Sequence, residues 1–283
     1  MARQAEAVGF DSLWVVDHLL MRFGGEYEKI GRDTGSVGVW EGWSLLAALA
    51  ASTARVELGT LVVCTGFRNP ALLAKMAATV DEISDGRLIL GLGAGWHELE
   101  YRAFGYPFDH RVGRFAEALT IIVTLLREGE IDFTGTYYDA HDCVLSPRGP
   151  RPAGPPLLIG STRPRMLELV ARFADLWNAW LVWEHSDPSA VPPLQERVDD
   201  ACVQCGRLPS TLGRTLAVRV DFSGHEPRSD GTSRPLTGTT EELAESCRQF
   251  AREGIAHLQL LLTPTTPACV ARIAPVLELL DHG

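Results

Sequence analysis

Four short clusters in this sequence hold residue types that could do chemistry. Asp17-His18 follows the apolar run Ser12–Val16. An imidazole titrates near neutral pH, and a neighbouring carboxylate can orient it for proton transfer. Taken alone, the pair fits a helix-capping aspartate beside a packed histidine equally well. Cys64-Thr65 ends a second apolar run. The sequence sets no basic residue beside Cys64 to make a thiolate, so it reads as a packed thiol. Gly93-Ala94-Gly95 ends a third run. Missing side chains let the backbone approach a flat ligand, and a tight strand-to-helix turn needs the same residues. The acidic partner of a dinucleotide fingerprint is absent. Glu100 and Tyr101 fall one turn into the next helix, where Tyr101 either faces a pocket or packs. Gly160-Ser161-Thr162-Arg163 stands before a helix. Its N–H groups, two hydroxyls and guanidinium would suit a phosphate. A plain N-cap with Pro164 in the first turn has the same geometry.

The elements that must position these clusters alternate strictly. Buried strands are expected at 12–16, 56–63, 87–92, 157–160, 176–181, 216–222 and 257–262. Between them lie helical patterns, including Ala2–Val8, Ser44–Thr53, Pro70–Ile83, Arg111–Arg127, Arg165–Ala174, Pro192–Cys205, Thr240–Glu253 and Pro267–Leu280. Ile131–Leu145 alternates around Thr134-Gly135-Thr136, as a hairpin does. Such alternation specifies parallel βαβ units. The fold class is therefore α/β, a TIM-type (β/α)8 barrel. It is read as one domain over 1–283, with excursions near 22–39, 131–156 and 223–237. Seven strands are found where closure takes eight, so the first strand is apparently lacking, with no sequence before residue 2 to supply it. In such a fold the strand C-termini carry the site.

Composition narrows the function classes. A net charge of −10 disfavours a nucleic-acid partner. No apolar run reaches the length of a membrane span, and the start does not read as a signal peptide, so a cytoplasmic protein with a small-molecule substrate is expected. A homodimer stays open. Of the six cysteines, Cys202 and Cys205 form a CxxC without a second pair, which argues against a metal site. Trp40, Trp43, Trp96, Trp177, Trp180 and Trp183 are expected mostly in the core, with one or two at the mouth of the site. Lysine occurs only at Lys29 and Lys75, leaving 24 of the 26 basic residues as arginine. This usage points to a GC-rich bacterial genome.

Five blocks, in order, carry a family likeness. They are Ala5 to His18, Leu58-Gly59-Thr60 with Asn69-Pro70, Leu90 to Trp96 with Glu100-Tyr101 and Phe104-Gly105, Pro155 to Gly160 with Pro164 to Leu167, and Gly238-Thr239 with Gly254 to His257. Together they resemble the luciferase-like monooxygenase family, bacterial flavin- and F420-dependent oxidoreductases. The resemblance implies hydride transfer between coenzyme F420 and a small organic substrate, with FMN and O2 chemistry, or an inactive ligand-binding paralogue, as alternatives. The block wording and the GC-rich usage favour the F420 branch. The resemblance sets His18 beside the cofactor ring, with Asp17, as the catalytic pair. It places Leu61-Val62 where deazaflavin relatives carry a non-proline cis peptide behind the ring; an ordinary trans strand is the other reading. Cys64, Gly93, Ala94, Gly95 and Tyr101 would line the ring or ribityl chain. Gly160, Ser161, Thr162 and Arg163 would take the phosphate. Two departures stand out: the missing first strand, and the loss of two loop glycines after Gly160, which restricts positive φ there.

Overall fold

The computed structural model describes residues 1–22, 36–183, 186–224 and 234–282. The excursions expected near 22–39 and 223–237 lie mostly outside the described residues. The chain divides into two compact units.

One unit comprises Trp14–Ala51 and Leu58–Pro155. It contains the end of β1 (Ser12–Val15), the short antiparallel pair β2 (Met21–Arg22) and β3 (Ser36–Val37), then β4 (Glu57–Thr60), β5 (Val63–Cys64) and β6 (Leu88–Gly93). The main strands run side by side in the order β1-β4-β6, with β5 also paired to β6. β4 and β6 are parallel, Leu58 opposite Leu88. Every residue of β6 is buried, as a strand covered on both faces demands. Two devices hold these strands close. The Thr60 hydroxyl donates to the Gly91 carbonyl at 2.8 Å and accepts from the Gly91 N–H at 2.9 Å. A Cβ on Gly91 would stand 1.9 Å from the Thr60 carbonyl oxygen, so only glycine fits.

The helices of this unit start and stop by side-chain chemistry. Glu41 precedes α2 (Gly42–Ser52) and accepts from the N–H groups of Trp43 and Ser44 at 3.1 and 2.7 Å. Asn69 caps α3 (Pro70–Ile83) through Ala71 and Leu72, with proline in the first turn. α4 (Glu98–Phe104) ends at Gly105 in the left-handed region. α5 (Arg111–Glu128) buries Phe115, Ala118, Leu119, Ile122 and Leu126, the three-and-four spacing of one helix face. The expected hairpin is present as β7 (Glu130–Thr134) and β8 (Asp139–Val144). Glu117 of α5 accepts from the N–H groups of Thr136, Tyr137 and Tyr138 in its turn.

The other unit comprises Met1–Leu13, Ser52–Glu57 and Pro156–Gly283. Its strands β9 (Leu157–Gly160), β10 (Leu176–Trp180), β11 (Gly213–Asp221) and β12 (His257–Thr263) are parallel in sequence order. Helices α1 (Ala2–Ala7), α6 (Pro164–Phe173), α7 (Val191–Gln204), α8 (Thr240–Arg252) and α9 (Pro267–Asp281) accompany them. Thr239 and Glu242 form a full capping box on α8.

All seven expected strands are present, with two adjustments. The run at 56–63 is broken at Leu61–Val62, whose peptide bond is cis, so it forms β4 and β5 rather than one strand. β11 starts at Gly213, three residues before 216. Trp40 and Trp96 are 86% and 49% exposed, whereas Trp43 and Trp177 are core. No helix among the described residues is long and apolar enough to cross a membrane.

Two outcomes follow from these contacts. Gly91→Ala should destabilise by about 1–3 kcal/mol, the usual scale of overpacking; urea unfolding measures it. The second concerns pH. Burial alone would raise the Glu41 pKa, but the Ser44 and Trp43 N–H groups, the Ser44 hydroxyl and Arg68 bring it down to about 2. A depressed carboxyl stabilises above its unfolded value of 4.5 and loses that contribution as pH falls toward 2. Glu41→Gln should therefore lower the melting temperature at neutral pH, with the gap to the parent chain closing between about pH 5 and about pH 2.

Candidate active site

Asp17 and His18 lie just beyond β1, and their side chains enter separate networks. The Asp17 carboxylate takes a bidentate pair from Arg68 at 2.6 and 2.7 Å and the Cys64 N–H at 2.9 Å. Arg68 also reaches Glu41 at 2.8 Å. Asp17 is thus committed to holding the ends of β1 and β5 together. The expectation that it orients His18 is corrected: its two oxygens are occupied by stronger, charged donors.

Glu100 takes that place. Its carboxylate meets His18 Nδ1 at 3.0 and 3.1 Å and accepts from the Leu19 and Leu20 N–H groups at 2.9 Å each. The Glu100 side chain is 1% exposed and that of His18 16%. Burial pushes the Glu100 pKa up, but the His18 bond and the Leu20 and Leu19 N–H groups outweigh it and leave it below the ordinary value. An ionised carboxylate only accepts, so Nδ1 of His18 carries a proton. Nε2 has no hydrogen-bond partner among the described residues and stands as the group able to accept a proton. The sequence places Glu100 only on a helix beside Tyr101; at 82 positions from His18 it leaves no local signal of the pair.

Cys64 and Tyr101 are core, not reagents. The Cys64 Sγ lies 2.9 Å from the Tyr101 Oη, which donates to the Ala94 carbonyl at 3.0 Å. Burial pushes the thiol up to about 12 and the phenol higher still. Both pack with Phe67. Tyr101 therefore packs, and it acts on the site by fixing Ala94.

Protein contacts alone already require glycine at 93 and 95. A Cβ on Gly93 would lie 2.6 Å from Val62 Cγ2, and one on Gly95 would lie 2.1 Å from the Tyr101 Oη and 2.6 Å from Cys64 Sγ. The space that glycine frees at 93 and 95 is filled by protein side chains rather than left for a ligand. Leu61 and Val62 are brought to this strand end, Val62 against Gly93. Thr65, Gly66, Ala94, Tyr101, Pro107, Arg111 and Arg114 converge nearby around a shallow crevice that leaves no room for a water molecule. Arg111 donates to the Gly95 carbonyl at 3.0 Å and lies 4.0 Å over the Phe108 ring. These arginines were not singled out from sequence, since nothing in their spacing on α5 sets them apart from surface charge.

The Gly160–Arg163 turn belongs to the other unit. Its backbone is less available than expected. The Ser161 N–H donates to the Asn178 carbonyl at 3.1 Å, and the Arg163 N–H to the Ser161 hydroxyl at 3.2 Å. Trp177 Nε1 and Arg197 hold the Ser161 and Thr162 carbonyls. The Arg163 guanidinium is exposed and has no partner among the described residues.

Comparison with known proteins completes the description. The profile described as luciferase-like monooxygenase matches residues 1–220. An F420-dependent glucose-6-phosphate dehydrogenase of Kineococcus radiotolerans is 30% identical over 85% of this chain and 69% of its own length. A phthiodiolone/phenolphthiodiolone dimycocerosates ketoreductase of Mycobacterium bovis is 34% identical over 89% of this chain and 68% of its own. Among solved structures, an F420-dependent secondary alcohol dehydrogenase holding an F420-acetone adduct aligns with a TM-score of 0.80 at 18% identity, covering 99% of this chain and 93% of that one. That likeness carries the fold class, the α/β barrel type expected from the strand and helix alternation. The chain belongs to the luciferase-like monooxygenase family.

Proposed function

We propose that this chain is an F420-dependent oxidoreductase that moves hydride between the deazaflavin and the carbon of a small alcohol or carbonyl compound. The observation that carries the reading is the His18–Glu100 pair: a largely covered imidazole anchored at Nδ1 on a buried carboxylate, its Nε2 without a hydrogen-bond partner among the described residues. The relatives' names support it, since a sugar phosphate dehydrogenase, a ketoreductase and a secondary alcohol dehydrogenase all convert between hydroxyl and carbonyl carbon.

The residues present suit the cofactor. The Arg163 guanidinium, without a partner among the described residues, and the Ser161 and Thr162 hydroxyls of the same turn would be a donor set for its phosphate. Leu61, Val62 and the Gly93-Ala94-Gly95 backbone would support its ring. When bound, F420 supplies a two-electron hydride acceptor or donor. The protein's part is the proton: His18 Nε2 takes it from the hydroxyl as hydride leaves the same carbon, and returns it to the carbonyl oxygen in reduction. Glu100 stabilises the imidazolium formed in between. Asp17 and Arg68 fix the neighbouring backbone without touching the proton. The Cys64 thiol, neutral at any working pH, takes no nucleophilic part.

Fluorescence titration should show F420 binding at micromolar affinity or better, about −8 kcal/mol, and tighter than FMN. Arg163→Ala should weaken it by about 1–3 kcal/mol. His18→Ala should lower kcat with glucose 6-phosphate or propan-2-ol by about a hundredfold or more while leaving F420 affinity nearly unchanged. Tighter FMN binding with O2 consumption would move the assignment to a monooxygenase. Binding of neither cofactor would favour the inactive paralogue.

A further inference from the structure

Beside the His18–Glu100 pair stands a second imidazole that the proposed reaction leaves unused. His97 precedes α4 and is 8% exposed. Its Nε2 is buried without a hydrogen-bond partner among the described residues. The ring lies 6.4 Å from that of His18 at 83° and 4.9 Å from Trp96. Trp96 in turn lies 5.8 Å from His18, edge to face. Three rings thus border one spot. Glu100 offers His97 no bond, because its oxygens are taken by His18, Leu19 and Leu20.

A buried ring nitrogen left without a partner is a cost that native structures rarely carry without a use. Burial, the largest influence, holds the His97 pKa below the ordinary histidine value, so the ring is neutral near pH 7. A neutral imidazole offers one donor and one acceptor nitrogen; the donor can meet the oxygen of a carbonyl or a hydroxyl, and the acceptor only the proton of a hydroxyl. A role in packing alone would be met by phenylalanine, which fills the same volume without the cost. The half-exposed Trp96 ring borders both imidazoles.

We propose that His97 is a positioning residue that binds the substrate's reacting oxygen through Nε2 once the Trp96 ring swings aside. This deepens the alcohol–carbonyl reading and rests on it for the identity of the substrate class. One imidazole would then move the proton while the other fixes the oxygen it moves to.

Ring proton–nitrogen spectra of the full, 15N-labelled chain test this, with acetone and propan-2-ol as probes and with or without F420. Acetone should shift the His97 ring nitrogens. His97→Phe should weaken acetone binding about tenfold, the worth of one hydrogen bond, and leave F420 affinity unchanged. His97→Gln should recover part of the loss and stands in if the phenylalanine variant fails to fold. Acetone binding to His97→Phe as tightly as to the parent, or His18 signals moving while those of His97 stay still, would overturn the proposal. Failure of the cofactor reading shows separately, as absent F420 binding. The His97 signals remain readable in the unloaded chain, where the same two outcomes decide.

Discussion

A carboxylate buried without compensation would shift its pKa and neutralise. Glu100 instead stays ionisable because three donors converge on it: the His18 ring and the Leu19 and Leu20 N–H groups. Those donors belong to one short stretch of chain, and the acceptor belongs to the first turns of α4. The hydrogen-bonded pair therefore does two things at once. It pins residues 18–20 to a helix more than 80 positions away in sequence, and it sets which nitrogen of His18 carries the proton. Fold and chemistry hang on the same bonds. A neutral residue at 100 would loosen the stretch and leave the tautomer undecided.

The Asp17 network shows why the adjacent carboxylate could not serve. Arg68 covers it with two bonds and is itself only 10% exposed at its side chain. Removing either partner from such a pair leaves an uncompensated buried charge, so the pair is structural by necessity. The two networks also divide the labour at this end of the unit. Asp17, Arg68 and Glu41 fix α2 and the strand ends. Glu100 and His18 are left with one nitrogen that has no hydrogen-bond partner among the described residues. Tyr101 and Cys64 fill the wall behind, both held protonated by burial.

Much of this was legible in sequence. Strand and helix alternation identified all seven strands because apolar runs and Gly or Pro punctuation are local signals. Pro70 at the head of α3 and Gly254 past the end of α8 are signals of the same local kind. What was not legible depends on distance. The Glu100 partner of His18, the Arg68 partner of Asp17 and the orphan nitrogen of His97 are set by which elements meet, and no spacing encodes that. Gly93 and Gly95 were recognised as special, but for a ligand. A glycine signals only that something comes close; here that something is Val62, Tyr101 and Cys64.

The Gly160 turn carries the same lesson in reverse. In the family pattern it resembles, glycines often stand where this chain has Ser161 and Arg163, and the loss suggests a loop denied its backbone conformation. Positive φ occurs at other glycines and at Asp85, His110 and Asp142, but not at 160–163. The turn is built without left-handed residues, so serine and arginine cost nothing there. Ser161 uses its hydroxyl to accept the Arg163 N–H, a local bond that glycine could not make and that fixes the entry to α6. The exchange trades open backbone donors for a rigid turn. Whatever anion this turn takes is then met by side chains, Arg163 foremost, rather than by a nest of N–H groups. Affinity there should depend on one guanidinium more steeply than in a glycine-rich loop, because fewer donors share the charge.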